Sequence, residues 1–224
     1  MNAAKRVLMV VTSHDVIPTT GKPTGLWFEE FAIPYLKLRE FGVAVTVASP
    51  KGGSAPIDPR SLPVSEEAQL AYTALQSTQP LAHIDANKYD AIFIPGGHGT
   101  MFDLPEDRDL QRLLQDFAQR DKVIAAVCHG PAGLVGATDA YGSPLVAGKT
   151  LTAFTNAEEE AAHYTQDMPF LLETRLRELG ATFVVRDNWS DHVEQDGNLI
   201  TGQNPQSSAS IAHAVVNALT TVEV

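Results

Sequence analysis

A cysteine and a histidine stand side by side at the end of an apolar segment of this sequence. Cys128 and His129 follow the run Val123–Val127, and Gly130 and Pro131 come next. A cysteine in such small-residue surroundings, between a buried strand and a helix, is typical of the sharp turn that presents a nucleophile. The amino end of the following helix would favour the thiolate. The pattern therefore predicts nucleophilic chemistry at Cys128, with the imidazole of His129 as partner and its backbone N–H as an oxyanion donor.

Two further segments carry groups suited to such a site. Gly96, Gly97 and His98 follow another apolar run, and adjacent glycines let backbone N–H groups approach a developing oxyanion. We expect this turn to bind the substrate. Of the two neighbouring glutamates Glu29 and Glu30, the helical spacing favours Glu30 as the buried one. Burial would raise the pKa of that carboxyl group and suit it to proton transfer near neutral pH.

Three consecutive glutamates form a third acidic segment. They follow Asn156, which we expect to cap a helix that begins near Glu158. Glu160 and His163 share one face of that helix, but the seven histidines show no H-E-x-x-H or paired Cys/His spacing. A dinucleotide fingerprint and a P-loop lysine are also missing from the sequence. The sequence therefore predicts neither a metal site nor an organic cofactor.

The composition excludes several classes of partner. The chain has 224 residues, 27 of them acidic and 16 basic, for a net charge of −11, which argues against nucleic acid and against an anionic membrane surface. The apolar run at residues 7–11 is too short for a secretory signal, and no run approaches the ~18 apolar residues of a membrane span. One cysteine excludes an internal disulfide. We expect a cytoplasmic protein.

Strands and helices alternate along the chain, which predicts one α/β domain over residues 1–224. Its sheet is expected to be doubly wound and mostly parallel, with helices on both faces and the site at the carboxyl ends of the strands. A loop rich in Gly and Pro, of the kind that lies over a site, covers 51–63. The expected strands are 7–11, 43–47, 90–94, 123–127, 151–154, 182–185 and 199–201, and the expected helices are 26–41, 106–119, 130–135, 170–179 and 204–219.

Six segments, in order, resemble the ThiJ/PfpI superfamily and, more narrowly, its heat-shock-chaperone and glyoxalase III branch. They lie within residues 5–218 and cover 24–30, 49–53, 95–100, 126–131, 154–160 and 201–205. The resemblance implies a flavodoxin-like fold, close to class I glutamine amidotransferase domains, and a homodimer. Larger bacterial chaperones of this branch carry an added amino-terminal lobe. This chain begins directly at its first strand, so we expect no chaperone activity from such a lobe.

The resemblance also implies a role for each residue of the site. Cys128 would be the nucleophile, His129 its partner, and Glu160 the carboxylate that orients the imidazole. Glu30 would lie against the thiol, and the backbone N–H groups of Gly97 and His129 would form the oxyanion hole.

The function implied is that of a glutathione-independent glyoxalase, a lyase that converts methylglyoxal and water to lactate. Cys128 would attack the aldehyde of this small substrate, and Glu30 or His129 would move a proton between its two carbons. Three alternatives stay open at this point. They are a redox-responsive stress protein or holdase whose thiol is oxidised to sulfinic acid, a cysteine peptidase or amidase, and a domain without catalysis.

Overall fold

A seven-stranded sheet forms the centre of the computed structural model, which describes residues 4–220. Its order is β3-β2-β1-β4-β5-β9-β8, and every neighbouring pair is parallel except β8 and β9. The two remaining strands, β6 and β7, form a separate parallel pair. The strands are β1 (Arg6–Val10), β2 (Ala44–Ser49), β3 (Gln79–Pro80), β4 (Ala91–Ile94), β5 (Val123–Val127), β6 (Thr150–Leu151), β7 (Thr182–Phe183), β8 (Val193–Asp196) and β9 (Leu199–Gly202).

Helices cover both faces of the sheet, because its central strands are apolar on both sides. Along β1, Leu8 and Val10 belong to one apolar core, and Val7 and Met9 belong to the other. The first core includes residues of α4, and the second includes residues of α1 and α7. The helices are α1 (Phe28–Glu40), α2 (Gln69–Ala74), α3 (Thr100–Asp103), α4 (Arg108–Gln119), α5 (Asn156–Ala161), α6 (Leu172–Glu178) and α7 (Ser208–Thr220).

The doubly wound, mostly parallel sheet predicted from the sequence is confirmed, and several local predictions are wrong. The segment 130–135 forms a short 3-10 helix, Gly130–Leu134, because two glycines and a proline within five residues disfavour a longer α-helix. The strand expected at 151–154 is only two residues long, Thr150–Leu151. The edge strand Val193–Asp196 was not predicted, because its sequence is mostly polar and it pairs on one side only.

Two predictions concern the extent of the chain and its relation to membranes. The single-domain prediction covers residues 1–224, of which 1–3 and 221–224 lie outside the described residues, and it stays a prediction. The longest helices within residues 4–220 are α1 and α7, each of 13 residues, and neither meets the length and hydropathy needed to cross a bilayer ~30 Å thick.

The carboxyl ends of β4 and β5 meet at one edge of the sheet and carry the two turns singled out in the sequence. The amide of Cys128 donates a hydrogen bond to the carbonyl of Gly202, at 3.0 Å, which fixes the end of β5 against β9. Gly130 lies against the last residue of β4, and a Cβ at this position would overlap the carbonyl oxygen of Ile94. The sheet therefore brings the two turns into contact only if residue 130 lacks a side chain.

Replacing Gly130 with alanine tests this close approach. We expect Gly130→Ala to lower the free energy of unfolding by more than ~2 kcal/mol, because the new methyl group must push apart two buried strand ends. Gly142→Ala is the control. Gly142 has a positive φ of 83° but open space around it, so its substitution should cost only ~1 kcal/mol. Equal losses in urea denaturation of the two variants would contradict the steric explanation.

Candidate active site

Cys128 occupies a strained turn at the end of β5. Its φ is +60°, in the left-handed region that a residue with a side chain seldom adopts, and the residue is 3% exposed. This is the strand-to-helix turn predicted from the sequence. The thiolate expected there is not supported. Burial, and to a smaller extent the adjacent Glu30, raises the pKa of the Cys128 thiol well above its usual value. The resting group is a thiol that needs a base.

Glu30 lies in the first turn of α1 and is fully buried beside the thiol. Its Oε2 accepts a hydrogen bond from the amide of Gly96 at 2.7 Å. Burial raises the pKa of Glu30 to about 8, and the neighbouring Cys128 thiol and the amide of Gly96 offset this only in part. Glu30 therefore faces inward, as the sequence predicts, and carries a proton at neutral pH.

His129 contacts the thiol through one ring nitrogen and a carboxylate through the other. Its Nδ1 lies 3.3 Å from the Sγ of Cys128, and its Nε2 lies 2.7 Å from the Oε2 of Glu159. Glu160, the partner predicted from the resemblance, is exposed at the surface, and the buried carboxylate against the imidazole belongs to Glu159. Glu159 is the residue that orients His129.

The cap of α5 lies one residue before the one predicted from the sequence. Thr155, not the predicted Asn156, caps the helix, and its side chain accepts a hydrogen bond from the amide of Glu158 while Glu158 accepts one from the amide of Thr155. This reciprocal pair fixes the helix register and turns Glu159 towards the sheet. The pattern T-x-x-E at 155–158 was the signal that would have located the cap.

His98 contributes a second imidazole to the same carboxylate. Its Nε2 lies 2.8 Å from the Oε1 of Glu159, and its Nδ1 lies 3.0 Å from the Nη2 of Arg60. A guanidinium only donates hydrogen bonds, so the Nδ1 of His98 must accept and its Nε2 must carry the proton. Burial, together with the neighbouring His129, lowers the pKa of His98 to about 4, which agrees with a neutral ring. His98 was predicted to bind substrate. It lines the cavity at Cys128 as well as contacting Glu159, and substrate binding by this residue stays a prediction.

The charge of Glu159 is set by these two rings. Burial by itself would raise the pKa of this carboxyl group, but its interactions with His129 and then with His98 outweigh burial and hold the pKa well below the usual range. Glu159 is therefore ionised and accepts the N–H of each imidazole. The Nε2 of His129 is then the donor to Glu159, and in a neutral imidazole this leaves Nδ1, which faces Cys128, as the acceptor that a general base needs.

The two glycines of the turn after β4 have different roles. The amide of Gly96 donates to Glu30, so it is not free for a substrate oxygen, and the prediction that it binds substrate directly is wrong. Gly97 has a positive φ of 99°, lines the cavity above Cys128, and its amide has no hydrogen-bond partner within residues 4–220. Gly97 thus keeps the geometry expected of an oxyanion donor.

A small cavity of about 100 Å³ opens in front of Cys128. Aromatic side chains form much of its wall, namely Trp27, Phe154 and Trp189. The amide of Trp189 donates to the buried carboxylate of Glu158 at 2.8 Å, which holds this otherwise unpredicted wall residue in a left-handed conformation. The predicted loop at 51–63 contributes Arg60 to the lining, so it does reach the site.

The donor atoms of His98, His129 and Glu159 lie within 4.8 Å of one another and could hold a metal ion. Each of these three groups already has a hydrogen-bond partner among the other two, because both imidazole N–H groups point at the carboxylate. A metal ion would have to displace both protons. The hydrogen-bonded arrangement is complete without that exchange.

A pair of adjacent glutamates tests which carboxylate supports His129. Glu159→Gln removes the negative charge and places an amide NH₂ against one of two imidazole N–H groups, so we expect alkylation of Cys128 by iodoacetamide to slow by ~100-fold or more at pH 7. Glu160→Gln makes the same chemical change at an exposed position and should leave the rate unchanged. Mass spectrometry of the labelled protein measures both. A slower rate in Glu160→Gln alone would refute the assignment.

Comparison with known proteins identifies the family of this chain and agrees with its fold. Residues 28–218 match the model of the DJ-1/PfpI family. The glutathione-independent glyoxalase HSP31 of Saccharomyces cerevisiae is 32% identical over 97% of this chain and 99% of its own. The crystal structure of glyoxalase III from Candida albicans has a TM-score of 0.88 at 30% identity, covering 96% of this chain and 97% of that one. The Rapid Encystment Protein of Francisella tularensis has a TM-score of 0.92 at 35% identity, with coverages of 96% and 99%. The chain belongs to the DJ-1/PfpI family.

Proposed function

We propose that this protein is a glutathione-independent glyoxalase that converts methylglyoxal and water to lactate. The observation that carries the proposal is a buried thiol with a base on one side and a protonated carboxyl group on the other. His129 lies 3.3 Å from the sulfur, and Glu30 keeps its proton up to about pH 8. Full-length relatives named as glyoxalases support it, as does a cavity of about 100 Å³, which suits a three-carbon aldehyde better than a peptide.

The reaction begins with addition of the thiol to the aldehyde carbon of methylglyoxal. His129 takes the thiol proton at Nδ1, the sulfur forms a bond to C1, and the carbonyl electron pair moves to oxygen. The free amide of Gly97 stabilises this oxyanion, with the amide of His129 as a second donor. The oxyanion then takes the proton back from His129. The product is a neutral hemithioacetal, and the imidazole is again unprotonated.

The second stage moves hydrogen between the two carbons. His129 removes the proton from C1 while Glu30 gives its proton to the ketone oxygen at C2, which forms an enediol. Loss of the hydroxyl proton at C1 to Glu30 and protonation of C2 by His129 give the thioester of lactate. Water then cleaves the C–S bond, and lactate and the Cys128 thiol are released. The redox change is internal to the substrate, so no outside oxidant or reductant is needed.

The direct test is incubation of the purified protein with methylglyoxal and measurement of lactate. The native chain should form lactate without added glutathione, and Cys128→Ser should lose at least ~1,000-fold in kcat, because a serine hydroxyl is a far weaker nucleophile with this base. Glu160→Gln is the active control. Lactate formation by Cys128→Ser at the native rate would sink the proposal, as would its absence from the native protein. A peroxide-derived sulfinic acid with no lactate would favour the redox-responsive alternative.

The pKa of Glu30 predicts how rate and stability depend on pH. Folding raises the pKa of Glu30 from 4.5 to about 8, so the folded state binds this proton more tightly than the unfolded state does. The protonated carboxyl group therefore stabilises the fold fully below pH ~4.5, and this stabilisation is lost as the pH rises towards 8. Relative to Glu30→Gln, the free energy of unfolding should fall by up to ~1.4 kcal/mol per pH unit across this window. The native kcat should also fall above about pH 8 as Glu30 loses its proton. Parallel pH profiles of stability in the two proteins would contradict this.

Two properties stay predictions from the sequence. The first is a homodimer, which sedimentation of the purified protein tests. The second is a cytoplasmic location, which fractionation of the source cells tests.

A further inference from the structure

Arg60 is the one permanently positive side chain among the described residues that line the cavity. Its Nε and Nη2 donate to the buried carboxylate of Asp58 at 2.9 and 2.6 Å, and Nη2 also donates to His98. No residue within 4–220 accepts a hydrogen bond from its Nη1. The side chain lines the cavity and is 35% exposed, and it keeps a donor group that the described residues do not use.

The guanidinium is held in place on every other side. Its central carbon lies 4.4 Å from the ring centre of Tyr164 and 5.7 Å from that of Trp27. Asp58 is itself fixed by the hydroxyl of Thr24 at 3.0 Å. A guanidinium that is already oriented loses little conformational entropy when it binds an anion, and Arg binds carboxylates through such charged hydrogen bonds.

We infer that Arg60 forms a carboxylate subsite of this cavity, for small acids that carry an aldehyde or a hydroxyl group on the neighbouring carbon. The inference deepens the proposed function and rests on it for the reaction at Cys128. Lactate, the proposed product, has such a carboxylate. The smallest substrate-like member of the class is glyoxylate, whose aldehyde would meet Cys128 while its carboxylate meets Arg60.

Glyoxylate would form a covalent adduct with Cys128 that cannot react further. The thiol proton passes through His129, the Cys128 sulfur bonds to the aldehyde carbon, and the carbonyl oxygen takes the proton to give a hemithioacetal. The neighbouring carbon is a carboxylate rather than a ketone, so it cannot accept the electron pair released by removal of the C1 proton. No enediol forms, and the adduct leaves only by reversal. Glyoxylate is therefore an inhibitor of this site.

Alkylation of Cys128 by two matched reagents tests the subsite without turnover. Iodoacetate and iodoacetamide form the same C–S bond and release iodide, but only the first carries a carboxylate. The measured quantity is the rate with iodoacetate divided by the rate with iodoacetamide, normalised to the same ratio for free cysteine. It should exceed one in the native chain and fall at least ~10-fold in Arg60→Gln. Lys22→Gln is the matched control. Lys22 also lies over the Tyr164 ring, at 5.9 Å, but does not line the cavity, so its loss should change the ratio less than ~2-fold.

A ratio in Arg60→Gln equal to that of the native chain overturns the inference. Because this variant also loses the hydrogen bond to His98, a second measurement uses the native protein alone. Glyoxylate should protect Cys128 from iodoacetamide at a concentration at least ~10-fold lower than its neutral methyl ester does. Equal protection by acid and ester also overturns it. If the native protein prefers iodoacetate and is protected better by glyoxylate than by its ester, but forms no lactate from methylglyoxal, the proposed function is rejected and the carboxylate subsite is retained.

Discussion

The ionised carboxylate of Glu159, buried between two imidazoles, is the interaction on which the site depends. A buried charge is costly unless hydrogen bonds and opposite partial charges replace its water. Here each carboxylate oxygen accepts one imidazole N–H, at 2.8 Å from His98 and 2.7 Å from His129. These bonds fix both ring tautomers at once. The base that faces Cys128 is therefore a consequence of how one negative charge is accommodated.

The neighbouring residue Glu158 explains why that charge stays in position. Its carboxylate is also fully buried, but it accepts hydrogen bonds from the helix cap at Thr155, from the side chains of Gln203 and Asn204, and from the amide of Trp189. It thus ties α5 to the segment after β9 and to an aromatic wall of the cavity. Of these two adjacent glutamates, Glu158 anchors the helix and Glu159 accepts the hydrogen bonds of the imidazoles.

The sequence predicted the parts of this protein that depend on short-range patterns. The buried parallel strands, the turn at Cys128 and the inward direction of Glu30 all follow from apolar spacing and small residues within a few positions. The choice between Glu159 and Glu160 depends on where α5 begins, and an error of one residue rotates a helical side chain by about 100°. The composition of the loop at 51–63 indicated that it lies over the site but did not single out Arg60. Trp189 reaches the cavity from a segment far from Cys128 in the sequence, and no local pattern placed it there.

Glu30 and Glu159 are both buried within one site, yet their environments drive their pKa values in opposite directions. Glu30 accepts only one backbone amide at Oε2 and lies against a neutral thiol, so burial dominates and it keeps its proton to about pH 8. Glu159 has two imidazole partners and loses its proton. Because their pKa values lie so far apart, the two carboxyl groups supply an acid and, through His129, a base at the same pH. A thiol placed between them can add to a carbonyl and pass protons both ways without ever being a stable thiolate, which is why its own raised pKa does not argue against nucleophilic chemistry.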